Sequence, residues 1–264
     1  MTPKKLWSWL AFVIIASFSV LIYYGVDIYR KTPPIPDKVV TTDGQVIYTA
    51  QEVKDGQNVW QSIGGQTVGS IWGHGAYIAP DWTADYLHRE ALLLLDELAK
   101  KDGKVYKNLP DEEQAKYTVL LQKELRTNTL NEANNTIVIS PERAKVQEEL
   151  AAYYTKLFMG DPSMDKLRDS YAIPKNTIKE QERMDKMNAF FAWSTWVCIT
   201  NRPNDDVTYT NNWPHDGLVG NTPPSSLHLW SGFSVLVLLA GLALLVLYHA
   251  KNKESEITEE LPLD

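Results

Sequence analysis

The sequence of 264 residues predicts a mainly α-helical protein in which two transmembrane helices flank an extracytoplasmic helical domain with a small β-hairpin. Three observations carry this reading. Leu6–Val26 and Trp230–Tyr248 are uncharged apolar runs, close to the ~20 residues a helix needs to span a bilayer core. Lysines 4, 5, 251 and 253 lie on the terminal side of these runs, which by the positive-inside rule places both termini in the cytoplasm. The intervening stretch is punctuated by helix caps and stops.

The first run is read as an uncleaved anchor over residues 1–26. It is longer than the 7–15-residue apolar core of a signal peptide, and no small-x-small cleavage site follows. Trp7, Trp9, Tyr23 and Tyr24 lie near its ends, where amphipathic rings favour the headgroup level. The outside domain, with its linker, is then 27–226. Val39–Thr42 and Gln45–Thr49 flank Asp43-Gly44 and predict a hairpin. A buried helix is expected over Thr83–Lys101, around Ala91-Leu92-Leu93-Leu94-Leu95. Another opens at Pro110 with Asp111-Glu112-Glu113, acids suited to a helix N-terminus, and runs to Arg126. Ser140-Pro141 is an N-cap followed by proline at the first helical position; that helix should stop at Gly160. A last helix is expected from Thr177 to Thr200. Its nearly all-apolar second half, Phe190–Ile199, either closes the core or docks on a partner. Asn201–Pro224 reads as a polar linker, 227–250 as the second span, and 251–264 as a short cytoplasmic tail.

Composition excludes several functions. A net charge of −7 argues against a nucleic-acid binder. One cysteine excludes a disulfide framework, a cysteine zinc site and a C-x-x-C redox pair; Cys198, in an apolar helix half, reads as buried and inert. The five histidines form no H-x-x-x-H pair. Gly64–Gly69 is glycine-rich but has no lysine, so it is no phosphate loop. Alone, the chain reads as carrying no catalytic residues. The segment Val59–Glu90 stands out for its density of Trp, Tyr, His and Gly. It fits either a core loop or a surface that approaches a partner closely.

Two stretches of this sequence resemble a known family. Trp60-Gln61, Gly73-His74-Gly75-Ala76-Tyr77-Ile78-Ala79-Pro80-Asp81-Trp82 and Thr83–Glu90 are similar to the N-terminal region of quinol-dependent nitric oxide reductases. Asn211-Asn212-Trp213-Pro214-His215 and Val219–Pro223 are similar to the stretch before that family's second span. The resemblance runs from first span to second. It implies a cytochrome-c-like helical domain. Family members join this region to a polytopic catalytic part holding two b-type haems and a non-haem iron, so this chain resembles a separate subunit, or a fragment, that needs a haem-containing partner chain. The implied reaction is 2 NO plus two electrons and two protons to N2O and water, with quinol as donor.

In the cytochrome c-dependent relatives, C-x-x-C-H precedes the same loop. Gly65, Val68 and Gly69 stand at those Cys, Cys and His positions, so the resemblance implies no covalent haem on this chain. It further implies that Gly75 and Tyr77 help hold a calcium ion shared with the partner, carbonyl oxygens being suitable hard donors. Trp72, Gly73, His74, Gly75, Tyr77 and Pro80 are the expected partner interface. On that reading, Gly75→Val should impair the partner more than the folding of this chain. The implied setting is the inner membrane, with lipid around the spans. Two other readings stay open: a subunit of a related NO-disproportionating enzyme, and a two-span extracytoplasmic binding or sensor module.

Overall fold

The computed structural model describes residues 2–259, which fall into two units, one through Thr222 and one from Pro223. The chain is mainly helical. Its first helix, α1 (Pro3–Arg30), begins with proline in the first turn and runs past Val26, so the helix is longer than its uncharged run. It is long and apolar enough to cross a membrane, and none of its residues is buried.

The expected hairpin is present as β1 (Lys38–Thr41) and β2 (Val46–Thr49). It is only half of a sheet. Two strands not expected from the sequence complete it, β3 (Leu130–Asn131) and β4 (Thr136–Ile139); β4 pairs in parallel with β1, giving the order β2-β1-β4-β3. Thr136-Ile137-Val138-Ile139 has the β-branched composition of a strand, but its partner lies almost a hundred residues earlier.

Helix α2 (Ala50–Ser62), also not expected from the sequence, follows β2 directly. Thr49 and Glu52 form a complete capping box at its start: Glu52 N–H reaches Thr49 Oγ1, and Glu52 Oε2 accepts from Thr49 N–H at 2.8 Å. That S/T-x-x-E signal was there to be read. Gly56 lets this helix lie against a later one, α7 (Gln181–Ile199); a Cβ there would sit 1.9 Å from the Lys186 carbonyl oxygen.

Helix α3 (Trp82–Lys101) is capped by Asp81, and α4 (Asp111–Arg126) carries three acids in its first turn. Helix α5 (Pro141–Met159) has the expected Ser140 cap and ends at left-handed Gly160. A short α6 (Asp165–Ser170) was not anticipated. Helix α7 starts four residues later than expected, because Ile178 is buried in extended chain and its N–H bonds the Phe158 carbonyl. The apolar half of α7 is wholly buried in this domain, which decides for core over a partner-facing surface.

Trp82 is the hub of that core. It is fully buried, with the rings of Phe158, Tyr171, Phe191 and Tyr154 at 5.3, 6.0, 6.1 and 6.3 Å. Glu90 on α3 and Arg143 on α5 form a buried ion pair at 2.8 Å. Cys198 is fully buried, as expected, and burial pushes its thiol well above the usual range.

In the second unit, α8 (Ser225–Glu259) is a single helix, membrane-crossing in length and composition as far as Lys253. The expected tail is therefore helical through Glu259. Residues 251–259 contain no glycine or proline that would stop a helix. The tail residues 260–264 lie outside the described residues.

Candidate functional site

The two stretches that carry the resemblance come together. The chain leaves α2, makes a 3-10 turn at Gly65–Val68, and loops out from Ser70 to Asp81 before entering α3. The loop is closed at its neck by backbone bonds: Ser70 N–H reaches Pro80 O, and Trp82 N–H reaches Ser70 O at 2.8 Å.

The Asp81 carboxylate holds the neck from inside. Its Oδ2 accepts from Ser70 Oγ and Gly73 N–H, both at 2.6 Å; its Oδ1 accepts from Ala84 N–H at 2.9 Å and from Thr83 Oγ1. One side chain thus caps α3 and cinches the loop. Ser70 Oγ also accepts from Gly75 N–H at 2.7 Å.

The expected interface residues divide into two groups. Trp72 anchors the loop from within. Its indole N–H donates to the Ser194 carbonyl of α7 at 2.8 Å, and its ring meets Trp193 edge-on at 5.7 Å. Gly73 and Pro80 lend their carbonyls to the domain, Gly73 O accepting from Trp213 Nε1 at 2.9 Å across 140 residues of sequence. His74 is exposed beside Trp213, ring centres 4.7 Å apart. Tyr77 is fully exposed at the loop tip, with Ile78 about half exposed beside it.

Gly75 belongs to the loop's own closure. Its φ is +84°, and a Cβ would stand 2.8 Å from the Ala79 carbonyl oxygen, a conformation and a space that suit glycine alone. The expectation that Gly75→Val would strike the partner before this chain is therefore corrected: valine strains this chain's own backbone first.

The segment expected to be a linker is packed structure through Thr222. Thr208, Asn212, Val219 and Asn221 are buried. Asn212 Nδ2 donates to Thr222 O and Asn221 Nδ2 to Pro214 O, each at 2.7 Å. Arg126 at the end of α4 gathers Asn201 Oδ1 and the carbonyls of Asp206 and Gly220. His88 of α3 donates from Nδ1 to Asp216 at 2.9 Å. The polar composition that reads as a linker is what supplies these side-chain-to-backbone bonds.

Two cofactor expectations meet the geometry differently. At Gly69, φ is +119° and a Cβ would stand 2.2 Å from Trp82 Nε1 and 2.7 Å from Pro80 O. Trp82 Nε1 already donates to Val68 O at 2.9 Å. A haem-ligating residue at 69 would collide with the core hub, so residues 65–69 do not fit a covalent haem. For calcium, the carbonyls of Gly75 and Tyr77 take no hydrogen bond from the described residues. Both Asp81 oxygens are committed, and no cluster of three His, Cys, Asp or Glu that could hold a metal occurs among the described residues. Two carbonyls fall short of the six to eight oxygens calcium takes, so the loop fits only as part of a shared site.

The family of the nitric oxide reductase NorB cytochrome c-like domain matches residues 36–215. No curated protein matches the chain.

Proposed function

Since this chain belongs to the NorB cytochrome c-like domain family of nitric oxide reductases, we propose that it is the haem-less extracytoplasmic subunit of a quinol-dependent nitric oxide reductase. A polytopic partner chain carries the b-type haems and non-haem iron on which two NO become N2O and water. This chain caps the partner and supplies no catalytic residue. The observation that carries the reading is the rigid loop 70–81: a neck locked by Asp81 and Trp213, and a tip that presents Tyr77 and Ile78 to the outside. A large ring with a polar end, held on a preorganised loop, is the type of anchor that protein interfaces use. Gly75 and Tyr77 would offer carbonyl oxygens to a calcium ion completed by the partner.

The two apolar helices give membrane association. Lysines at 4, 5, 251 and 253 support cytoplasmic termini in the inner membrane. The filled space beside Gly69 supports a donor other than a c-type haem on this chain, such as membrane quinol reaching the partner directly.

Isolation of the tagged full chain in mild detergent tests the proposal. A polytopic b-haem protein should come with it and consume NO. The double variant His74→Ala, Tyr77→Ala should release that partner while the melting of the full chain stays unchanged. No haem protein on the wild type, or full partner retention by the double variant, overturns it.

A further inference from the structure

A cleft of about 440 Å³ opens between the hairpin and helices α3, α5 and α7, within the size range of small-molecule sites. None of its lining residues belongs to loop 70–81 or to segment 201–222. Two amides lie at its inner wall. Gln147 and Asn188 are 7% and 8% exposed, and Gln147 Oε1 and Asn188 Oδ1 are buried with no hydrogen-bond donor. Buried acceptors without partners are uncommon and costly. The Asn188 amide is fixed on its other edge, Nδ2 donating to the Ala151 carbonyl at 3.3 Å, whereas the terminal torsion of the Gln147 amide is soft.

The rest of the lining has one electrostatic sign. Asp43, Glu52, Glu148 and Asp185 face a single base, Lys145. That base is drawn away, its Nζ donating to Glu97 at 2.7 Å. Neither Asp43 nor Glu148 has an ion-pair partner among the described residues. The lining also includes the buried rings of Tyr48 and Tyr86 with Ala189 and Ala192. No cluster here has the three His, Cys, Asp or Glu needed for a metal ion.

We propose that this cleft binds a small aliphatic amine as its ammonium ion. The ammonium has donors and no acceptor, which is what two unpartnered carbonyl oxygens require. The carboxylates supply the opposite charge, and the tyrosine and alanine wall covers the alkyl chain. Burial holds both tyrosine hydroxyls protonated, so the wall adds no charge of its own.

Calorimetry of the full chain in neutral detergent tests this with 1,4-diaminobutane, and with 1,4-butanediol as the uncharged control. The diamine should bind saturably at one site and the diol should not. Glu148→Gln with Asp185→Asn, both on exposed helix surface, should weaken binding about fivefold or more, as the loss of two outer ion pairs predicts. Gln147→Leu removes an unpartnered acceptor, so it should leave melting unchanged or higher while weakening the diamine about tenfold. Equal binding of diol and diamine, no saturable binding, or diamine affinity indifferent to all three substitutions overturns the proposal.

Discussion

Asp81→Asn separates the neck of the loop from its tip. The substitution keeps shape and removes charge and one acceptor. With the amide oxygen left toward Thr83 and Ala84, the new NH2 faces Ser70 Oγ and Gly73 N–H, each formerly bonded at 2.6 Å. The Gly73 N–H cannot turn, so its bond is lost and two donors confront each other. With the amide reversed, the cap on Ala84 N–H is lost instead. A hydrogen bond to a charged group contributes about 1.5–3 kcal/mol, and either orientation loses one fixed N–H bond, so the substitution costs about that much. Asp81 is only 6% exposed, and water has little access to compensate. Against a total stability of about 5–15 kcal/mol, such a loss is large. The expected outcome is a full chain that melts markedly earlier by tryptophan fluorescence in detergent and is cut by protease within 70–81. Partner retention should fall with it. A variant within about 0.5 kcal/mol of wild type, the range of an ordinary surface substitution, with loop 70–81 still protected, would refute the role given to this carboxylate.

Two further outcomes are expected. Hydrogen bonds from Lys100 and Lys145 hold the Glu97 carboxyl below its ordinary value of 4.5. Its contribution is fully present above pH 4.5 and is lost as pH falls through the depressed value. Glu97→Gln should therefore flatten the acid side of the melting-temperature profile and leave its slope near pH 7 unchanged; an unchanged acid slope speaks against the pair. Protease added outside sealed spheroplasts should cut between Asp27 and Ser226 and spare a C-terminal tag, whereas loss of the tag would reverse the proposed orientation.

What was legible in the sequence was local. A run of apolar residues needs no partner to declare itself, so both helices long and apolar enough to cross a membrane could be read directly. Ser140-Pro141 and Gly160 delimit α5 because caps act within one turn. Asp43-Gly44 dictates a hairpin for the same reason. The motif loop was legible as a dense and unusual segment that runs into the helix expected from Thr83. Even the missed α2 had its signal in Thr49 and Glu52.

Only the tertiary structure decided what these pieces do to one another. Pairing of β1 with β4 joins segments almost a hundred residues apart, and no local propensity encodes which distant strand will be met. Asn201–Thr222 is polar enough to be a linker, yet its side chains find backbone partners only because α4, α7 and the 70–81 loop arrive beside it. Gly75 read as room left for a partner; the folded chain shows that room already occupied by the Ala79 carbonyl. Trp72 and Tyr77 are both aromatic residues of one loop. One is turned inward by an acceptor 122 residues away and the other is left in the open. Residue type sets what a side chain can bond, and close packing of distant elements sets which of those bonds are still available to a partner.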